Sequence, residues 1–402
     1  MRAVRSVRRG ITAVLATAAA TALAAAVTAL PAEAAPAEGR VLGAGSPTAV
    51  PGSYLVTLKD DVGFKATAAR GKDLITGYGG TVERTYTSAL NGYSATLSSG
   101  QARRLAADPD VASVEQDQVV HTLGTQTGAP WGLDRIDQST LPLSGTYTSP
   151  DHGGSGSTVY VLDTGVRITH QDIAGRASYG WDFVDGDATA QDGYGHGTFV
   201  ATVAAGTTYG VAKKAKVVAV RVLGNDGSGT TAGVVAGVDW ITAHHVADSV
   251  ANVSLGGGAS TTLDTAVNNS IASGVTYSIA AGNSGALASG YSPARVAAAI
   301  TVGATTSADA RASYSNYGSA VDLFAPGSGI TAAWNTSDSA TYTGNGTSFA
   351  APHVSGAAAL YLTAHPGSSP AAVASALVGG ATDGVLTGVG TGSPNKLLKL
   401  VP

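Results

Sequence analysis

Four polar residues in this chain have types and surroundings suited to nucleophilic chemistry. Asp163 follows the apolar run Val159-Tyr160-Val161-Leu162 and precedes Thr164-Gly165. His196 lies in Gly195-His196-Gly197-Thr198, at the entry to an Ala-rich stretch. Ser348 lies in Gly346-Thr347-Ser348-Phe349-Ala350-Ala351-Pro352-His353, and Asn283 closes Ala280-Ala281-Gly282-Asn283. A serine hydroxyl is a poor nucleophile near neutral pH and needs a base within hydrogen-bond reach. Imidazole titrates in the useful range, and a buried carboxylate fixes its tautomer and stabilises the imidazolium. Glycines beside His196 and Ser348 allow close backbone approach. A serine at a helix start gains the positive end of the helix dipole and free N–H groups for a developing oxyanion, and the Asn283 amide is a suitable second donor. Taken singly, each residue has a plainer role: Asp163 a turn or cap, His196 a loop residue, Ser348 an N-cap, Asn283 a left-handed turn. Their order along one chain makes four plain roles hard to sustain together.

Such residues need a rigid frame, and residues 124–402 supply the pattern of one. Candidate strands at Thr158–Leu162, Lys216–Val222, Val250–Ser254, Val275–Ala280 and Ala298–Val302 are nearly all apolar, as strands buried on both faces of a parallel sheet must be. Helices are expected near 230–245, 261–273 and 347–364. The alternation predicts one α/β domain, a doubly wound and mostly parallel sheet with helices on both faces, whose ligands sit beyond the carboxyl ends of the strands. Residues 51–123 read as a separate small α+β unit. A strand at 54–58, a helix at 62–78, two strands around Asn91-Gly92, a helix at 99–107 and a strand at 111–114 give the ferredoxin-like order β-α-β-β-α-β.

The chain of 402 residues is 44% apolar, long enough for two or three domains with a substantial core. Net charge is −4 and the basic residues form no stripe, which argues against a nucleic-acid partner. There is no cysteine, and the single methionine is Met1, so disulfides, thiolate metal sites and cysteine nucleophiles are excluded together. At the N-terminus, Arg2, Arg5, Arg8 and Arg9 precede an apolar run from Ile11 to Leu30 and the A-x-A site Ala32-Glu33-Ala34. Residues 1–34 therefore read as a secretory signal, giving a secreted, extracellular product without stable membrane association. An apolar run of this length also suits a membrane anchor, and Arg8-Arg9 hints at twin-arginine export.

The three segments around Asp163, His196 and Ser348 resemble the signature motifs of the subtilisin-like serine proteases. Within that family, Ala129-Pro130-Trp131-Gly132-Leu133-Asp134-Arg135-Ile136-Asp137-Gln138, Asn252-Val253-Ser254-Leu255-Gly256-Gly257 and Ser315-Asn316-Tyr317-Gly318 are similar to the proteinase K and aqualysin-like group. The likeness covers nearly all of 124–402, while residues 35–123, with a core at about 51–120, resemble the family's inhibitory propeptide. The resemblance implies a secreted serine endopeptidase made as a self-processing zymogen and acting on protein and peptide substrates after apolar or aromatic residues. Its own propeptide is an intramolecular inhibitor, and the mature enzyme is a monomer. Asp163, His196 and Ser348 become orienter, general base and nucleophile, and Asn283 completes the oxyanion hole. Gly227, Ser228 and Gly229 on one side and Ser254, Leu255 and Gly256 on the other flank an extended substrate, with Ala281 and Gly282 in the pocket wall.

The mature chain is expected to begin near Gly124, after cleavage at the end of Val120-His121-Thr122-Leu123. Structural Ca²⁺ is implied at two places. One uses the carbonyls of Ala297 and Ala299 with the carboxylate of Asp322; the other uses Asp134, Asp137, Gln138, Ser144 and Thr146, whose aspartates also suit plain turn caps. The chain departs from its relatives in lacking their disulfides. Two other readings are a catalytically silent binding module on the same fold and a metal-dependent hydrolase using His152, His170, His244 or His245. No H-E-x-x-H spacing supports the latter, and His244 and His245 are adjacent.

Overall fold

The computed structural model describes residues 36–46, 49–118 and 123–401. The signal segment and Val120-His121-Thr122 of the expected processing site lie outside the described residues. The chain divides into two compact units, one built mainly on Gly52–Glu115 and the other on Gln116 onward.

In the first unit the sheet runs Val41–Leu42, Val111–Gln118, Ala49–Leu58, Gly92–Thr96, Thr81–Tyr86 from edge to edge, with helices Ala69–Gly77 and Ser99–Leu105. This is the expected ferredoxin-like arrangement with one short strand added. Val56, Leu58, Ile75, Tyr93, Leu105 and Val114 fill its core. Helix Ser99–Leu105 opens on a capping box between Ser98 and Gln101. The first helix is shorter than the sequence pattern suggests. Asn91 accepts from the Ala66 N–H at 2.8 Å and donates to the Phe64 carbonyl at 3.3 Å, holding residues 61–68 in turns outside the helix.

In the second unit nine strands form one sheet in the order Thr382–Asp383, Lys396–Leu397, Leu323–Pro326, Ile300–Thr305, Thr276–Ala280, Ser249–Val253, Thr158–Asp163, Lys216–Arg221, Ala177–Asp182. All recorded pairings are parallel except that of Thr382–Asp383 with Lys396–Leu397. Side chains of Thr158–Asp163 alternate between two cores. Val159 and Val161 pack with helices His196–Ala205 and Thr347–Ala364 on one face, Tyr160 and Leu162 with helices Thr231–His244 and Thr261–Ala272 on the other. That strand is also where the order reverses. Later strands are laid down first on one side of it and then on the other, so Asp163 ends a strand at the topological switch point, where open α/β sheets bind ligands.

Strands Ala177–Asp182 and Leu323–Pro326 and helix Pro370–Gly380 were not expected from the sequence. The first lies at the sheet edge and keeps polar residues on its open side; the second is four residues long and ends in proline. The first lacks the all-apolar signature of a central strand, and the second, all apolar and buried, is too short to stand out as one.

Candidate active site

The central strand delivers Asp163 with its side chain fully buried. Its Oδ1 accepts from the Thr164 N–H at 2.8 Å and lies 2.7 Å from Nδ1 of His196. His196 is the first residue of helix His196–Ala205. The preceding Gly195 has φ 120°, and a Cβ there would lie 2.2 Å from the Trp334 ring, so only glycine fits. Burial disfavours the imidazolium of His196. The neighbouring Asp163 carboxylate and the charge of Asp192 outweigh that, and the ring titrates above the usual histidine range.

Ser348 is the second residue of helix Thr347–Ala364, so its N–H has no acceptor within the helix. Asn283 lies beside it. Asn283 Oδ1 accepts from the Thr347 N–H at 2.8 Å and from the Thr347 hydroxyl at 2.9 Å, which fixes the amide and leaves Nδ2 to donate outward. The position a Cβ would take on Gly346 lies 3.6 Å from both Asn283 Nδ2 and Ser348 N. Both nitrogens therefore lie on one side of Gly346 beside the serine, where an oxyanion would need its donors.

Pro352 stands four residues after Ser348 and cannot donate to its carbonyl. The Ser254 hydroxyl donates to that carbonyl instead, at 2.8 Å. Ser254 accepts in turn from Asn252 Nδ2 at 2.9 Å, and Asn252 Oδ1 accepts from Ser355 at 2.9 Å. The Ser348 hydroxyl donates to the Ser254 carbonyl at 3.0 Å. The serine–histidine bond expected from the sequence is thus not made in this structure, although Ser348 and His196 line the same cleft. Catalytic bonds in free enzymes commonly tighten only with substrate present.

Two cavities meet at Ser348. One, of 480 Å³, is lined by His196, Gly227, Ser228, Gly229, Ser254, Leu255 and Gly256. The other, of 240 Å³, is lined by Ser254, Leu255, Gly256, Ala280, Ala281, Gly282, Asn283, Tyr291 and Ala294. No charged side chain lines the second. An extended peptide fits between the Gly227–Gly229 and Ser254–Gly256 segments, with one side chain entering the smaller pocket.

The remaining histidines named above serve packing or local bonds. His170 is buried against the Ala340 carbonyl, His244 stacks on Trp240 with ring centroids 4.4 Å apart, and His245 bonds Ser273. His152 accepts from the Gly154 N–H within a turn. Among the described residues no group of three or more His, Cys, Asp or Glu side chains is placed to hold a metal ion.

The residues named for Ca²⁺ are brought together in part. Asp134 accepts from the Ser144 N–H and hydroxyl at 3.0 and 2.9 Å and from the Gly145 N–H at 2.7 Å. Gln138 accepts from the Ser144 N–H, and the Ser144 and Thr146 hydroxyls are 2.8 Å apart. Asp137 accepts from the Thr148 N–H at 2.6 Å; burial, with Asp134 close by, raises its carboxyl above the usual range. Asp322 accepts from the Thr301 N–H at 2.7 Å, two residues beyond Ala299, and burial pushes it up to about 6.

Sequence reasoning missed Thr347, which clamps the Asn283 amide, and the pair Asn252–Ser355 behind Ser254. All are small polar residues inside recognisable motifs, and nothing in spacing separates a clamp from a spacer.

A parallel sheet with an Asp–His pair at its switch point, a serine opening the next-door helix and two N–H donors beside it defines an acyl-transferring hydrolase of the serine type. The subtilase family model matches residues 154–395, and the peptidase inhibitor I9 model matches residues 53–123. The chain belongs to the subtilase family, as a serine endopeptidase carrying an inhibitory propeptide. It is 48% identical over 382 residues to an extracellular serine proteinase of Thermus sp. (strain Rt41A), covering 90% of this chain and 92% of that protein. It is 49% identical over 323 residues to the alkaline serine exoprotease A of Vibrio alginolyticus, covering 79% of this chain and 60% of that protein. The crystal structure of a cold adapted subtilisin-like serine proteinase matches with a TM-score of 0.67 and 51% identity, over 69% of this chain and all of that one.

Proposed function

We propose that Ser348 is the nucleophile, His196 the general base and Asp163 its orienting carboxylate, in a secreted endopeptidase that cleaves after apolar or aromatic residues. The observation that carries the assignment is the 2.7 Å contact of His196 Nδ1 with buried Asp163 beside the N–H donors at Ser348. The Ser348 proton passes to His196 Nε2 as Oγ bonds the peptide carbonyl carbon. The oxyanion is held by Ser348 N–H and Asn283 Nδ2. His196 then gives the proton to the departing amine, and water repeats the sequence on the acyl-enzyme. A fluorophosphonate probe should label Ser348 and nothing else, and a peptide-library profile should be dominated by apolar and aromatic side chains at the residue before the cut. A profile dominated by Lys or Arg would contradict the uncharged pocket of Ala281, Gly282 and Leu255.

The match of the inhibitor family over 53–123 supports a propeptide over 35–123, and that of the subtilase family over 154–395 supports a peptidase over 124–402; the signal at 1–34 rests on its basic start, apolar run and A-x-A site. The name of the Thermus relative supports secretion of an extracellular enzyme. Among the described residues no helix is long and apolar enough to cross a membrane.

Structural Ca²⁺ belongs to the same reading. The donors are all oxygens, in irregular segments suited to its flexible coordination. The raised carboxyls of Asp322 and Asp137 show no positive partner among the described residues; the carbonyls of Ala297 and Ala299 would join the former, and Gln138, Ser144 and Thr146 the latter. Asp134 is already engaged as a turn cap, which makes the Asp322 site the better supported. Ligand binding confined to the folded state stabilises it by mass action. Removing Ca²⁺ with a chelator should therefore speed thermal inactivation about ten-fold or more, and Asp322→Asn should show much less of this acceleration. An inactivation rate indifferent to chelator sinks both sites.

Phe349 follows the nucleophile, nearly buried, with its ring centroid 4.1 Å from Phe199 and 5.7 Å from His196. No methionine stands there to become a polar sulfoxide, and the buried Val200 beside His196 holds no thiol. Activity should survive peroxide and mercurials, and Phe349→Met should create peroxide sensitivity, read as activity lost in step with a 16 Da gain at that residue (~16 Da per oxygen). Rapid peroxide inactivation of the unaltered enzyme would place the oxidisable group elsewhere.

A further inference from the structure

A second carboxylate lies behind His196, and the steps above do not use it. Asp192 is 3% exposed and accepts five hydrogen bonds. Its Oδ1 takes the Thr164 hydroxyl at 2.9 Å, the Tyr194 N–H at 2.9 Å and the Gly195 N–H at 2.7 Å. Its Oδ2 takes the Thr198 N–H at 2.8 Å and the Thr198 hydroxyl at 2.6 Å. Gly195 has no side chain with which to cap the helix it precedes, and Asp192 supplies that cap from outside. Thr164, next to Asp163, also accepts from the Gly197 N–H at 2.9 Å. One buried carboxylate therefore ties the residue after Asp163 to the backbone on both sides of His196.

A buried charge is costly unless paired, yet among the described residues no Lys or Arg bonds Asp192. Arg167 reaches the same network through its backbone, whose N–H donates to the Thr198 hydroxyl. Its guanidinium is spent on Asp338 at 2.7 Å and on the Asn335 carbonyl at 3.2 Å. What Asp192 faces is the positive end of the helix that begins with His196, and the ring on it.

We propose that Asp192 is a positioning residue for His196: it fixes the backbone that carries the ring and lends a second negative charge to the imidazolium formed when Ser348 gives up its proton. The proposal rests on the catalytic reading above. The other elements around the ring contribute one charge only, the Asp163 carboxylate from the central strand. Phe349 on the nucleophile helix and Trp334 over Gly195 are uncharged, and no Lys, Arg, Asp or Glu lines the cleft. The direction of the His196 shift agrees, with Asp192 acting in the same sense as Asp163.

The sign follows. With Asp192 made neutral the imidazolium is less favoured, His196 loses its proton at lower pH, and the base form persists further into acid. In the self-processed Asp192→Asn enzyme the acid limb of kcat/KM should move down by about half a unit or more, while plateau kcat falls about ten-fold and KM changes less than about two-fold. Asp192→Glu, which keeps the charge and displaces it, should lose kcat with a smaller shift of the limb. An acid limb in Asp192→Asn at the wild-type position overturns the proposal, whatever happens to stability.

Should Asp192→Asn fail to mature, Thr164→Val and Thr198→Ala each strip one hydroxyl from the carboxylate; both should lower kcat several-fold at steady KM, and unchanged kcat in both overturns the proposal. His196→Ala separates the two readings. If it keeps activity the catalytic assignment fails; if it loses activity while the Asp192→Asn limb stays put, only the role of Asp192 fails.

Discussion

Ser348→Ala should accumulate as the unprocessed precursor when expressed without other proteases. The two events that depend on the Ser348 hydroxyl, release of the propeptide and hydrolysis of other chains, are lost together. Turnover should fall by about 10⁶-fold, the scale seen when a nucleophile acting as one unit with its base is removed. The fold should survive, because the hydroxyl's one bond, to the Ser254 carbonyl, is replaceable by solvent at the cleft wall. The check is a gel and an intact mass. A Ser348→Ala chain that matures to a start near Gly124 on its own would show that processing does not use this serine. Addition of active enzyme in trans should then cut the precursor, which tests whether the bond is accessible at all.

Asn283→Ala should lower kcat by about 10²–10³ with little change in KM, because in the proposed mechanism its Nδ2 acts on charge that exists only in the transition state. The clamp on its other end makes a second, smaller effect testable. Thr347→Val removes the hydroxyl that donates to Asn283 Oδ1 at 2.9 Å but keeps the backbone donor at 2.8 Å. The amide then has one anchor, and kcat should fall about ten-fold. A rise in KM with kcat intact in either variant would mean the amide binds the ground state and not the oxyanion.

The large sheet was legible because its central strands are nearly all apolar over five or six residues, a pattern that only burial on both faces explains. Thr158–Asp163 and Ser249–Val253 fell within a residue or two of their expected bounds. The edge strand Ala177–Asp182 was not legible, since Ser178, Gly180 and Asp182 break its apolar run, Ser178 facing solvent and Gly180 leaving room for the Trp240 ring. In the small unit the helix was overextended because apolar spacing from Val62 looks helical, while the competing Asn91 amide sits some 25 residues away in sequence. Much the same holds for the candidate site. Asp163, His196, Ser348 and Asn283 stand at strand ends and helix starts flanked by glycine, and their types announce them. Thr347, Asn252, Ser355 and Asp192 act by hydrogen bonds to partners fixed only in three dimensions. Asp192 had one local sign, an acidic residue just ahead of a helix, which sequence alone reads as a cap.

The proline four residues after Ser348 has a consequence for when the enzyme becomes dangerous. In an uninterrupted helix the carbonyl of Ser348 would be held by local structure, available as soon as that segment coils. Here its partner is Ser254, 94 residues earlier in the chain. The imidazole is likewise oriented across 33 residues and the oxyanion amide across 64. Contacts of such separation carry a loop-closure entropy cost that one helical turn does not, and local coiling alone does not make them. A nascent or partly collapsed chain thus carries the hydroxyl, the imidazole and the amide without their geometry. In the proposed mechanism, proteolytic competence therefore depends on the tertiary fold and not on local structure alone, a safeguard written into hydrogen-bond partners and separate from any inhibitor.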